Sequence, residues 1–447
     1  MSSLKEFIDA LPNDQMCRIK APIDYVPTAV VMELEQQGKS PVILVESEDP
    51  AHMPVVLNLF GDRERIARIA GVDLDQLFPQ WGRFLANPVK PRIVNGGAAQ
   101  EVVTQGAEAD CTKLPIARHF AADGGRYITS GIFICKDPDT GVRNLSYARM
   151  LMKSPNRFTI NLGSRGDLWE HHARAASRGK NLEVAVVIGA PPAVYLAASA
   201  KVDMTYDEYD LAGAFTGTPI DLVRCLTVDV EVPADSEIVL EGEILASEHE
   251  DEGPAAEFTG YSSSRSTRNV FVMKAMTHKK KPMYLDITPG LSSEHLILAA
   301  IARQTRDYTR IKEMVPGLKE INFPRSGNNY HCYMSIKKMA EGEARRALLM
   351  LFGVDPYVKL GVVVDEDVDV FNEPEVLWAI STRFQADTDM FVVPKVLGSL
   401  LDPSSGGGTN AKLGIDATVP KGWTETRANV APEAAAAARA LIAGTKA

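Results

Sequence analysis

The first third of the chain alternates helical and extended hydrophobic patterns. Leu4 to Leu11 is amphipathic, whereas PVILVES (41–47) and MPVVLNLF (53–60) are short apolar runs that predict buried strands. DRERIARIAG predicts a helix closed by Gly71 at its C-terminus. This alternation predicts a small α/β domain over 1–98, with the proline-bearing stretch 87–97 as its exit.

From about residue 100 the pattern becomes extended. EVVTQG, YITSGIFICKD, VRNLSYARMLMK, RFTINLG, NLEVAVVIG, TVDVEVP, SEIVLEGEIL, NVFVMKAMTHK and PMYLDIT all predict strands, and DPDTG (137–141) a hairpin turn. Only Asp167 to Gly179 and Pro219 to Cys225 look helical in this region. Many short strands with turn punctuation predict a mostly antiparallel β barrel or sandwich over 99–295. Leu296 to Val315 predicts a connector helix (296–318), after which the α/β rhythm returns over 319–447. There NYHCYMSIKKM and YVKLGVVVDEDVDVF read as strands, and EGEARRALLMLFG, EPEVLWAISTRFQ and PEAAAAARALIAG as helices. SSGGGTN (404–410) is a loop rather than a phosphate cradle, because no Lys-Ser or Lys-Thr follows where one is required.

Composition narrows the function classes. The 447 residues suit two or three domains, and 45% apolar with 24% charged residues is globular. A net charge of −10 and 7% aromatics argue against nucleic acid as a partner. The start has no basic stretch followed by an apolar run, and no apolar run approaches a membrane span, so a cytoplasmic location is expected. Five scattered cysteines without a C-x-x-C pair argue against disulfides and thiolate zinc sites.

Three clusters could carry chemistry. The first is Glu248, Glu250, Asp251, Glu252, then Gly-Pro-Ala-Ala and Glu257. The Gly-Pro pair forbids a regular helix, so Glu252 and Glu257 sit on a turn between strands. Two carboxylates on a stiff loop can push each other's pKa apart; the alternative is a solvated acidic hairpin tip. The second is Asn144-Leu-Ser146-Tyr147-Ala148-Arg149. An arginine within an apolar strand needs an anionic partner if buried, or else faces water from an edge. Positions 144 and 149 have opposite parity, so both serve one site only if the chain bulges or bends between them. The third is DMTYDEYDLAG (203–213), where Glu208 precedes small residues Ala212, Gly213 and Ala214 that would let backbone approach a ligand; the alternative is a surface acidic turn. Adjacent His171 and His172 diverge on a helix and are read as a satisfied or exposed pair, not as metal ligands.

Together these segments resemble the UbiD family of decarboxylases that use prenylated flavin mononucleotide (FMN). TSGIFICKDPDTGVRNLSYAR, VVVDEDVDVF, EVLWAISTR and KLGIDAT carry the likeness, and VPADSEIVLEGEI followed by EGPAAEFTGY is its most specific part. The resemblance implies an N-terminal α/β domain, a central split β barrel that binds the flavin, and a C-terminal α/β oligomerisation domain forming a homodimer or hexamer. It implies an Arg149, Glu252 and Glu257 triad, with Asn144, Ser146, Tyr147, Ala148, Arg149 and Glu208 at the cofactor. It implies Mn²⁺ or Mg²⁺ on Asn144, Asp167 and Glu208, with K⁺ beside it. Asp167 stands where the family carries a histidine. An aspartate oxygen still suits these cations.

The implied activity is reversible, non-oxidative decarboxylation of a small aromatic or heteroaromatic acid, with a flavin prenyltransferase as cofactor supplier. Eight residues separate His295 from Arg303, so both can share a helix face. Furan-2,5-dicarboxylate decarboxylases of the family look similar here, which puts that substrate first, with pyrrole, indole or hydroxybenzoic acids as alternatives; otherwise His295 is helix-terminal packing and Arg303 is solvated. A non-catalytic flavin carrier or assembly subunit, and a flavin reductase, are the competing classes; neither needs the EGP-x-x-E loop.

Overall fold

The computed structural model describes residues 3–46, 53–162, 166–264, 266–405 and 407–444. Ser47, Gly163 and Gly406, which belong to segments discussed above, lie outside these. Four sheets form among the described residues. At the N-terminus, Met16–Lys20, Val42–Glu46 and Val55–Leu57 make a small sheet. Helices pack on it, including Leu4–Asp9, capped by Ser3, and Arg63–Ile69, capped by Asp62 and followed by Gly71 at φ +70°.

The large antiparallel sheet runs in space Tyr127–Ile128, Met150–Ser154, Arg157–Ile160, Ser266–His278, Ile238–Glu252, Leu182–Ile188, Ile132–Lys136, Arg143–Tyr147, with Val102–Gln105 added on Ser266–His278. Arg143–Tyr147 at one end of this path and Met150–Ser154 near the other are joined by Ala148 and Arg149 alone. So short a link spans at most about 11 Å. The sheet therefore curls until its ends approach, yet no ladder bonds join them. This is a split barrel rather than a closed one. Alternate residues serve opposite faces: Phe133, Cys135, Val184, Val186 and Phe271 fill one core, while Ile132, Ile134, Ala185 and Val187 pack with the helices outside.

Several expectations need correction. Pro219 to Cys225 is not helical: Asp221–Arg224 is a strand between Glu231–Pro233 and Arg92–Ile93, so the exit stretch 87–97 is stitched to the middle of the chain. Leu222 and Val223 are both buried, as a strand flanked on both sides by other strands allows, and this wins over helical spacing. PMYLDIT does not join the barrel; Tyr284–Leu285 pairs in parallel with Val55–Leu57. The helices Tyr25–Gln36, Leu77–Ala86, Pro192–Ala198 and Glu208–Thr216, and the strands Met390–Leu397 and Thr409–Ala417, were not anticipated. The C-terminal sheet runs Leu318–Asn322, His331–Ile336, Leu360–Asp365, Thr409–Ala417, Met390–Leu397. Among the described residues no helix is long and apolar enough to cross a membrane.

The connector helix Ser293–Met314 reaches both the N-terminal and the C-terminal units. Ser292 caps it by accepting from His295 N. In its first turn, fully buried Glu294 accepts the amides of Asn58 (3.0 Å) and Phe60 (3.1 Å) from the N-terminal unit. Burial outweighs these amides and pushes the Glu294 carboxyl up to about 7. A raised carboxyl favours the fold in full below its unfolded pKa, and that contribution is lost as pH climbs through the folded value. Between pH 4.5 and 8 the wild-type protein should lose about 3 kcal/mol of stability that a Glu294→Gln variant does not lose. Denaturant unfolding at several pH values checks this; equal pH slopes would remove the assignment.

Candidate active site

Glu252 ends the long strand Ile238–Glu252, and its side of that strand passes from solvent to interior. The Glu248 side chain is 56% exposed, Glu250 31% and Glu252 0%. Arg157 holds the first two at the surface. The solvated hairpin tip therefore describes Glu248 but not Glu252 or Glu257, which are both buried. After Glu252 the chain turns through Gly253 (φ +91°) and the cis peptide to Pro254. A tight turn then orients Glu257, whose N–H donates to Tyr261 O and whose carbonyl accepts from Gly260 N, both at 3.0 Å.

Arg149 meets both acids from the link between the sheet's ends. Its Nε and Nη2 donate to the two oxygens of Glu252 (2.9 and 3.0 Å), and Nη1 donates to Glu257 Oε1. Nη2 also reaches Ser263 Oγ at 3.3 Å. Burial works against the guanidinium charge, but the Glu252 hydrogen bonds and the charge of Glu257 outweigh it and hold Arg149 above its ordinary value. The strand breaks after Tyr147 and resumes at Met150 on a different neighbour, which supplies the bend between 144 and 149. Tyr127, which was not anticipated, is buried beside this cluster and donates from its hydroxyl to Pro254 O at 3.2 Å. Burial first, then Glu252, raises its pKa.

A second cluster lies at the free edge of Arg143–Tyr147. Glu208, first residue of Glu208–Thr216, accepts from Asn144 Nδ2 (3.2 Å) and Leu145 N (3.0 Å), while Ser146 Oγ donates to Asn144 Oδ1 (2.8 Å). Glu208 is buried, so the surface-turn reading of 203–213 fails: Asp207 caps a helix there. The small residues serve a different approach. A Cβ on Gly213 would lie 2.3 Å from Val89 O, so the chain's own backbone, not a ligand, needs that space. Burial, with Asp207 and Asp167 adding to it, raises Glu208 to about 8. Asp167 opens helix Asp167–Ser177.

Among the described residues no three His, Cys, Asp or Glu side chains gather as a metal cluster. Asn144, Asp167 and Glu208 offer oxygen donors only, and buried Glu208 is met by an amide and a backbone N–H rather than a cation. That chemistry fits a hard divalent ion.

The other expected residues lie outside these two hydrogen-bonded clusters. Tyr147 donates to Tyr195 O at 2.6 Å, and Ala148 is buried in the inner core. His171 and His172 are both buried, not exposed; His172 Nε2 meets Leu245 O at 3.0 Å, whereas among the described residues neither ring nitrogen of His171 has a hydrogen-bond partner. His295 Nδ1 lies 3.1 Å from Gly290 O. A carbonyl only accepts, so Nδ1 carries the hydrogen. Burial lowers the ring's pKa against the pull of Gly290 and Glu257, which leaves Nε2 as a lone pair. Arg303 is not solvated: it holds both oxygens of Asp355 (2.7 and 2.8 Å) and Asn329 O, sandwiched between Phe323 and Tyr357.

The chain's relatives agree with this architecture. Residues 13–85, 92–292 and 296–417 match, in order, the N-terminal, Rift-related and C-terminal domains of 3-octaprenyl-4-hydroxybenzoate carboxy-lyase, UbiD. Anhydromevalonate phosphate decarboxylase of Methanothermobacter thermautotrophicus is 34% identical, over 85% of this chain and 88% of its own. The UbiD-class enzyme HmfF from Pelotomaculum thermopropionicum, solved in complex with FMN, superposes with a TM-score of 0.91 at 36% identity, covering 96% of this chain and 97% of that one. Vanillic acid decarboxylase of Sedimentibacter hydroxybenzoicus, at 28% identity and 99% coverage of both chains, gives 0.85 in its closed form. The chain belongs to the UbiD family. It is accordingly an enzyme of the decarboxylase type.

Proposed function

We propose that this enzyme removes CO₂ from a small conjugated or aromatic acid with prenylated FMN bound at the split of the barrel, and that Arg149, Glu252 and Glu257 carry the reaction. The observation behind this reading is the buried guanidinium shared by two acids. The family likeness and the FMN-bound relative support the cofactor. When bound, the modified flavin supplies the electron sink that no side chain can offer for the charge left as CO₂ departs.

The chain's own residues do the rest. Arg149 binds and orients the substrate carboxylate. Glu252, gripping two of its nitrogens, fixes the plane of the fork. Glu257, held through a single nitrogen, carries the proton that replaces CO₂. One guanidinium balances one carboxylate, so the cluster is neutral when Glu257 is protonated. Ser146, Tyr147 and Ala148 line the link where ladder bonds are missing. Asn144, Asp167 and Glu208 would hold Mn²⁺ or Mg²⁺, with K⁺ beside it, for the cofactor's phosphate. A separate flavin prenyltransferase supplies the cofactor. The chain self-associates through its C-terminal sheet, whose edge strand Met390–Leu397 leaves Val392 and Leu397 half exposed.

For the substrate, furan-2,5-dicarboxylate leads. The bare Nε2 of His295 takes up a proton beside a second anionic group, and Arg303 stands two turns along the same helix. A second reading, an unsaturated acid bearing a phosphate, is favoured by the relative named for anhydromevalonate phosphate. Both acids carry a second anion.

Glu257→Gln should keep the fold and flavin binding while lowering decarboxylation by about 10²-fold or more; near-native turnover would refute its role as acid. A panel of furan-2,5-dicarboxylate, its monocarboxylate and anhydromevalonate phosphate separates the substrate readings. His295→Ala and the charge-keeping Arg303→Lys should each cost about tenfold in kcat/KM on the dianionic acid and under about threefold on the monocarboxylate, whereas Arg303→Ala, which strips buried Asp355 of its partner, should first lower stability. Equal losses on both would exclude these residues as the second-anion site.

A further inference from the structure

A carboxyl that delivers a proton must be placed to within a fraction of an ångström, and the side chain is no better placed than its backbone. The bridge between Ala256 and Ser262, and the Glu257–Tyr261 and Gly260–Glu257 bonds, hold the loop 253–262 only to itself. Tyr127 donates to Pro254 O and Phe258 packs on Tyr330 and Tyr357, but the only backbone amide beside Glu257 tied to another part of the described chain is held by one turn, 119–125. Asp123 Oδ1 accepts from Ala256 N at 3.2 Å, the amide immediately before Glu257. Gly124 N donates to Pro254 O at 2.7 Å, and a Cβ on Gly124 would lie 2.4 Å from Gly253 O, so the two backbones lie directly against each other.

The turn is itself firmly held. Asp123 Oδ2 accepts from Phe120 N (2.9 Å), Asp123 N donates to Phe120 O (3.0 Å), and Arg118 Nη2 donates to Asp123 O (2.6 Å). His119 Nε2 meets Asp286 Oδ2 at 2.9 Å with both side chains buried, and Asp286 Oδ1 accepts from Thr129 Oγ1 at 2.7 Å. This ties the turn to the segment following Tyr284–Leu285, in the N-terminal sheet. Asp123 is 2% exposed and makes no ion pair among the described residues. Its two oxygens each take one backbone N–H. An asparagine offers a single acceptor oxygen and would turn its amide donors toward the other N–H.

We infer that Asp123 is the positioning residue for Glu257: it clamps the Ala256 amide to the turn 119–125 and so sets where the Glu257 carboxyl stands relative to the reacting carbon. This rests on Glu257 being the proton donor. A misplacement of about 1 Å at such a group costs about 10²-fold in rate.

The test compares wild-type, Asp123→Asn and Asp123→Ala proteins, full length and loaded with flavin. Amide hydrogen exchange is followed over 253–262, and kcat, KM and the solvent deuterium isotope effect are measured on the best acid of the panel. Exchange should quicken and kcat fall in the order wild type, Asn, Ala. The fall should reach about tenfold for Asn and about 10²-fold for Ala, with KM within about threefold and the isotope effect rising as proton delivery becomes limiting. Faster exchange with unchanged kcat and isotope effect would overturn the inference while leaving the decarboxylase reading intact, as would unchanged exchange in Asp123→Ala. If the wild-type protein decarboxylates no acid, the functional reading fails, and with it the positioning role of Asp123.

Discussion

A buried guanidinium gripped by two carboxylates is the constraint on which the rest of this molecule depends. Taking Arg149 out of water is costly unless its charge and its fork are met in full. The three partners come from distant stretches: a two-residue link between the ends of a curled sheet, the last residue of a fifteen-residue strand, and a turn beyond a Gly-Pro pair. Along most of the sheet, backbone hydrogen bonds hold neighbours together. At the link of Ala148 and Arg149 the ionic cluster adds to them, tying the link to the end of the long strand and to the turn beyond it.

The connector helix Ser293–Met314 relates this cluster to everything around it. Twenty-two residues make a rod of about 33 Å. Its first turn docks on the N-terminal unit through Glu294 and presents His295 toward Glu257 and Arg149. Two turns on, Arg303 organises the C-terminal unit, binding Asp355 and the carbonyl of Asn329. Tyr357, stacked on Arg303, also meets Phe258, the residue after Glu257. Movement between the units would therefore be felt at the acid loop from two sides, the C-terminal aromatics and the turn carrying Asp123.

Much of this was legible in the sequence. The α/β, β, α/β order follows from hydrophobic period alone, whereas the joining of Arg149 to Glu252 and Glu257 came from the family resemblance, since spacing alone left a solvated acidic hairpin tip open. Two of the four unanticipated helices were hidden for identifiable reasons. Pro192–Ala198 is apolar on every side because it is wholly buried, so it shows no amphipathic period. Glu208–Thr216 buries Glu208 and Asp210, which makes its inner face look like an outer one. Tyr284–Leu285 reads as a strand correctly, but nothing in a two-residue pairing tells which sheet it joins. Asp123 was overlooked because DGG reads as an ordinary turn, and only the fold shows what its carboxylate receives. Arg303 was placed on the right helix, and its bidentate partner Asp355 lies fifty-two residues away in the chain.

The central claim is that these side chains act on a carboxyl group through a prenylated flavin. The most direct measurement is CO₂ release from the acid panel by protein produced with, and separately without, a flavin prenyltransferase, alongside the absorption spectrum of each preparation. The account predicts release only from the first preparation, together with a flavin spectrum altered from that of FMN. Equal release from both, or a bound modified flavin with no release from any acid, would contradict it.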